Sequence, residues 1–126
     1  MKSFLLSMLV IFIGILTVQA QTVISLPNVA PPSEADPITD LAVFTDNAVD
    51  AHVIWAAPGF KKNRIGAPVH EQIFVLEGKL RFTLDGKTQE LTPGHWVILP
   101  ANIPHTLEVM GDVTVKLLAV QDKPAS

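Results

Sequence analysis

The groups in this chain that could do chemistry are few: four histidines, scattered carboxylates, and no cysteine. His70 and Glu71 are neighbours, and His105 closes the run Pro100-Ala101-Asn102-Ile103-Pro104-His105. A carboxylate and an imidazole can move a proton between adjacent atoms of a bound molecule, so Glu71 and His105 are the candidate catalytic pair. Two imidazoles with one carboxylate can instead hold a divalent metal and leave positions open, which makes His70, Glu71 and His105 the candidate metal set. That set has a geometric condition. Neighbours on a regular strand face opposite sides, so His70 and Glu71 meet one ion only if a bulge follows Pro68. Without the bulge, His70 is a rim or surface residue. Gln72 could coordinate through its amide oxygen only after a one-residue register shift. His52 lies on an earlier strand with its facing open, and His95, next to Gly94, reads as an exposed turn residue. If Glu71 points into an apolar interior it needs a proton, a metal or a cationic partner, for which Arg64 and Arg81 are candidates.

Elements that could position these residues are short and β-like. Leu80, Phe82 and Leu84 alternate with Arg81 and Thr83, and Val113, Val115, Leu117 and Ala119 keep the same period of two. Apolar runs at 41–45, 52–56, 72–76, 79–84, 88–91, 96–99, 107–110 and 114–120 are separated by Pro58-Gly59, Glu77-Gly78, Asp85-Gly86, Pro93-Gly94 and Gly111-Asp112. Asp85-Gly86 is a strong hairpin signal, because a tight primed turn demands residues that tolerate positive φ. No helical period appears after the leader. Eight short strands with regular turns predict an all-β barrel or two-sheet sandwich. Trp55 and Trp96 read as core packing. The cationic run Lys61-Lys62-Asn63-Arg64 reads as a solvated loop, or alternatively as a gate that attracts anions.

Two spaced patterns carry a family resemblance. Gly59-x5-Ile65-x-Ala67-x3-Glu71-x6-Gly78 keeps the frame of the first cupin motif, G-x5-H-x-H-x3-E-x6-G, with both histidines replaced. Gly94-x5-Pro100-x-Asn102-x2-His105-x3-Val109 resembles the second, G-x5-P-x-G-x2-H-x3-N, with Asn102 for glycine and Val109 for asparagine. Asn102 is a mild exchange, since asparagine also visits left-handed backbone. The chain resembles the single-domain cupins, over roughly residues 41–120. The resemblance implies a double-stranded β-helix (jelly-roll) barrel, a homodimer, and a small-molecule site inside the barrel. It implies a metal site too, held by two histidines, a glutamate and a further histidine, for Fe, Mn, Ni or Zn. Only Glu71 and His105 match that ligand set here.

The chain has 126 residues, a formal charge of −3, 48% hydrophobic and 17% charged residues. Length allows one domain. A mildly acidic chain with dispersed cations gives no footprint for nucleic acid. The absence of cysteine excludes thiolate catalysis and cysteine-held metals. No nucleophile elbow or phosphate loop is present. Residues 1–20 read as a signal peptide: Lys2, an apolar run, then Val18-Gln19-Ala20 as a small-residue exit with cleavage after Ala20. The apolar run, about 15 residues, falls short of the roughly 20 that span a bilayer, so no membrane association is expected after cleavage. The expected location is periplasmic or secreted. Residues 21–40 carry Pro27, Pro31, Pro32 and Pro37 and read as a Pro-rich arm, docked or loose. Residues 41–120 form the cupin domain and 121–126 a tail. The functional expectation is an exported barrel that binds a small molecule, with an atypical metal site and any chemistry being acid–base by Glu71 and His105. The alternatives are a metal-dependent enzyme of dioxygenase or isomerase type, and a non-catalytic sensor or structural partner.

Overall fold

Alternating apolar residues become nine strands among the described residues, and the alternation decides which faces meet. The computed structural model describes residues 22–64 and 66–124. The signal-peptide segment 1–20 and Ile65 lie outside the described residues. The strands are β1 (Ile38–Thr45), β2 (Val49–Ala56), β3 (Lys61–Arg64), β4 (Glu71–Glu77), β5 (Leu80–Leu84), β6 (Lys87–Leu91), β7 (Trp96–Leu99), β8 (His105–Val109) and β9 (Val115–Asp122). They form a five-stranded sheet ordered β1-β2-β9-β4-β7 and a four-stranded sheet ordered β3-β8-β5-β6. Each pairing is antiparallel. The strands begin at Ile38 and end at Asp122, slightly outside the expected 41–120.

The inner faces of the two sheets make the core. Ile73, Val75, Leu80, Phe82, Leu99, Leu107, Val109, Val115 and Leu117 are buried in one cluster. Leu80, Val75 and Val115 are almost wholly excluded from solvent, and truncating a leucine in such a place costs about 2–5 kcal/mol. The expected Asp85-Gly86 hairpin joins β5 to β6, with positive φ at both residues (52° and 75°). Asn102 also has positive φ (65°), the conformation that the glycine-to-asparagine exchange requires.

Two sequence expectations change. Lys61–Arg64 is not a loop but the edge strand β3, paired with β8 in register Lys61↔Glu108 to Arg64↔His105. Lysines are tolerated on such an edge because they discourage further strand pairing, and polarity therefore disguises the strand. Trp96 is not core: it is 55% exposed on the outer face of the larger sheet, stacked on Phe74 with ring centroids 5.6 Å apart. Trp55 is buried, as expected.

The last residues of the expected arm, from Ile38, belong to β1; the segment before it carries a short 3-10 turn, Leu26–Asn28, and the Lys116 ammonium donates to the Leu26 carbonyl at 2.8 Å. Lys116 is 3% exposed, with Glu77 Oε2 at 3.8 Å and the Trp55 ring centroid at 5.8 Å. A cation buried in this way is stabilised by the carbonyl, the carboxylate and the ring face together. Lys116→Met keeps the aliphatic stem and removes the charge that holds the arm. Limited proteolysis should then cut the arm severalfold faster while the barrel stays resistant; an unchanged rate would mean that other contacts hold it.

Candidate functional site

A cavity of about 320 Å³ lies between the two sheets. Its floor is apolar, built from Ile54, Ile73, Leu80, Leu107 and Leu117. Its polar groups are Asp40 on β1, His52 on β2, Lys62 on β3, Glu71 on β4 and Gln121 on β9. β1 and β3 each lie at one edge of their sheet. Asp40 and Lys62 are exposed, so the cavity opens along the seam between these edges. The pleat explains the lining. On β2, His52, Ile54 and Ala56 share the inward face, whereas Val53 and Trp55 are buried on the opposite face.

Of the candidate residues, Glu71 and His105 are buried and His70 is exposed. Glu71 starts β4, pairs in register with Leu99 and Gln121, is 5% exposed and lines the cavity. His105 starts β8 and is 4% exposed, but it packs beside Phe82 (centroids 5.9 Å apart) and is not among the residues lining the cavity. Its Nδ1 donates to the Ile103 carbonyl at 3.0 Å, which leaves Nε2 as a buried acceptor atom with no hydrogen-bond partner among the described residues. His70 is exposed and precedes β4. Its carbonyl accepts the Asp122 amide at 3.0 Å, which extends the β4–β9 ladder instead of bulging it. Strand neighbours therefore part, as the pleat requires, and His70 does not join Glu71 and His105. No group of three His, Cys, Asp or Glu side chains that could hold a metal ion occurs among the described residues. The expected three-ligand set is thus not assembled there.

Other candidates resolve similarly. Arg81 bonds Glu108 at 3.3 Å on the outer face, where β5 and β8 pair. His95 is an exposed turn residue, its Nδ1 accepting the Thr92 amide at 2.9 Å. The Gln72 amide oxygen accepts from Trp96 Nε1 at 3.1 Å, on the outer face and away from the cavity. His52 is the functional group whose facing the sequence left open. It lines the cavity, and its Nδ1 lies 2.5 Å from Asp40 Oδ1. Lys62, read as a solvated loop residue, lines the cavity as well.

Comparison with known proteins places this architecture. The model of the cupin domain family matches residues 57–121, about half of the chain. The chain belongs to the cupin-domain family. It is 34% identical over 56 residues to the uncharacterized protein MJ1618 of Methanocaldococcus jannaschii, covering 44% of this chain and 45% of that protein. It thus spans less than half the length of that curated relative. The fold resembles the cupin domain of an XRE-family transcriptional regulator from Enterobacter cloacae, with TM-score 0.65, 23% identity, 71% of this chain covered and 100% of the other. It resembles the polyketide cyclase RemF of Streptomyces resistomycificus similarly, with TM-score 0.66, 20% identity, 82% of this chain covered and 80% of the other. Likeness at such identities establishes the fold; chemistry depends on the site.

Proposed function

We propose that this chain is an exported cupin that binds a small molecule in its barrel and acts on it, if it acts chemically, by metal-independent acid–base chemistry. The observation that carries this reading is the cavity itself: about 320 Å³, with an apolar floor and five polar groups in its lining. That is the low end of the size range, and the usual chemistry, of small-ligand sites. Of the candidate pair, Glu71 takes the acid–base role, because it is the member that lines the cavity. The fold serves both a named cyclase and a regulator's domain, so it is compatible with turnover and with sensing alike. Export rests on the leader in residues 1–20, and a homodimer is proposed through the exposed Trp96 and Ile98 with the half-buried Phe74.

The metal-dependent alternative fits the residues poorly. Ile65 and Ala67 occupy the histidine positions of the first motif and offer no donor atom. Two protein donors, Glu71 and His105, seldom retain a transition ion that ordinarily needs three or four. Protein purified without a histidine tag should therefore hold iron, manganese, nickel or zinc well below stoichiometry by mass spectrometry. A stoichiometric metal lost in His105→Ala would overturn the metal-independent reading.

Binding is tested with a library of small organic acids, sugars and phenols, scored by thermal shift. Ile38, 38% exposed and part of the cavity lining, supplies the control. Ile38→Trp should fold normally, narrow the mouth and weaken any hit about tenfold, the equivalent of losing roughly 1.4 kcal/mol of contact. A hit indifferent to this change binds elsewhere.

A further inference from the structure

The geometry of the seam points to His52, oriented by Asp40, as the proton acceptor of the cavity, and to a weakly acidic phenol or enol with a small apolar body as its ligand class. This inference rests on the small-molecule reading of the cavity. Three observations combine. The Nδ1–H of His52 is held by the Asp40 carboxylate at 2.5 Å, which orients the ring and leaves Nε2 as the atom that can take a proton. Lys62 lines the same cavity from the other sheet, and among the described residues it makes no ion pair. The floor beneath is aliphatic.

Each part of such a ligand meets a matching group. Its ring or chain buries against Ile54, Ile73 and Leu117, where a strongly hydrated sugar would lose its water without enough replacements. Its hydroxyl meets the imidazole. The O–H bond breaks, the proton passes to His52 Nε2, and the electron pair stays on oxygen as a phenolate or enolate in the cavity that Lys62 also lines. Lys62 and the new imidazolium both favour that oxyanion. No oxidant or co-reactant is required. The volume limits the body to about one or two rings.

The titratable groups around His52 come from four strands: Asp40 on β1, Asp50 on its own strand, Lys62 on β3 and Glu71 on β4. Asp50 is held below the usual carboxylate range, first by the Thr45 hydroxyl and then, against slight desolvation, by Lys123 at 3.6 Å. β5 and β8 contribute only Leu80 and Leu107 to the lining, and β9 only Leu117, Ala119 and Gln121.

The test uses 4-nitrophenol, whose ionised form absorbs visible light, and follows the ionisation midpoint of the bound probe. An apolar floor alone would raise that midpoint, because burial disfavours the charged form; a basic imidazole and an ammonium lower it. The sign therefore decides. The wild-type protein should bind the probe and lower its midpoint by about one pH unit or more, the effect of an opposite charge close by. His52→Gln should still bind, with most of that drop lost because only Lys62 then favours the oxyanion, and Asp40→Asn should lie between the two. Both residues are partly exposed, at 36% and 48%, and an unchanged melting temperature shows that the variants fold. Binding with a raised or unchanged midpoint in the wild type, or an equal drop in His52→Gln, overturns the inference while the cavity reading stands. Absence of binding by 4-nitrophenol and by every member of the library overturns both.

Discussion

Gly66→Ala should lower the melting temperature by more than about 10 °C, taking a cost of about 3 kcal/mol at 4–8 °C per kcal/mol for a domain of this size. A Cβ at residue 66 would lie 2.2 Å from the Ile103 nitrogen, 2.5 Å from the Asn102 carbonyl carbon and 2.6 Å from the Ile103 oxygen. All three are backbone atoms, so no side chain can rotate away. The segment they belong to is fastened on both sides: Asn102 N donates to the Ala67 carbonyl at 2.7 Å, and His105 Nδ1 donates to the Ile103 carbonyl at 3.0 Å. Pushing Ile103 outward strains or breaks both bonds, each worth about 1 kcal/mol, in addition to the overpacking. Gly59→Ala is the control. Gly59 has φ of 85° but nothing within 4 Å of a built Cβ, so it should cost only the left-handed backbone penalty of about 1–2 kcal/mol. Calorimetry on the two variants separates close approach from backbone conformation. Equal losses would show that the 66–67 and 102–103 segments are not held together in solution.

The same segment shows what the sequence could and could not disclose. Spacing alone put Gly59, Glu71, Gly78, Gly94, Pro100 and His105 in a frame that belongs to one fold, and strict alternation marked β5 and β9. These signals are local and periodic, so they survive without coordinates. β3 was hidden because an edge strand can be fully polar: Lys61, Lys62 and Asn63 carry no apolar alternation, and only pairing with β8 defines them. The site was half legible. Glu71 could be placed inward from its motif position, and His70 was assigned outward by the pleat unless a bulge intervened. His52 could not be placed, because its facing depends on register with β1 and β9, which join residues far apart in sequence. Asp40 reads from sequence as the end of an arm, although it is the third residue of the eight-residue strand β1. A single residue of register would have turned both groups to the other side. Trp96 misled for a different reason. Large aromatics usually pack inside, and neither its exposure nor its Phe74 partner on the outer face is encoded by its own position.

Trp96→Lys with Ile98→Lys should leave the barrel folded and convert a dimer into a monomer, as read by light scattering across a concentration series. Trp96 and Ile98 are 55% and 54% exposed on β7, an edge strand. Phe74 stacks under Trp96 with the ring planes 6° apart, and Gln72 fixes the indole by its 3.1 Å hydrogen bond. An exposed indole held by both stacking and a hydrogen bond is pre-organised, so little side-chain freedom is lost when a partner covers it. Leu118 and Val120 continue the half-buried apolar strip across β9 on the same face. The arm's one bond to Lys116 ties it near Trp55, on β2, and does not extend to β7. Two-fold pairing would place each substitution twice in the interface, with about 2 kcal/mol or more lost at every such aromatic anchor. Like charges brought face to face would add to that loss. Because both side chains are already more than half exposed, monomer stability should change by only about 0.5 kcal/mol. A wild-type protein that remains monomeric at high concentration would remove the proposed homodimer and leave the cavity chemistry unaffected, since its lining lies on the inner faces of the sheets. A dimer that persists in the double variant would move the interface to another face.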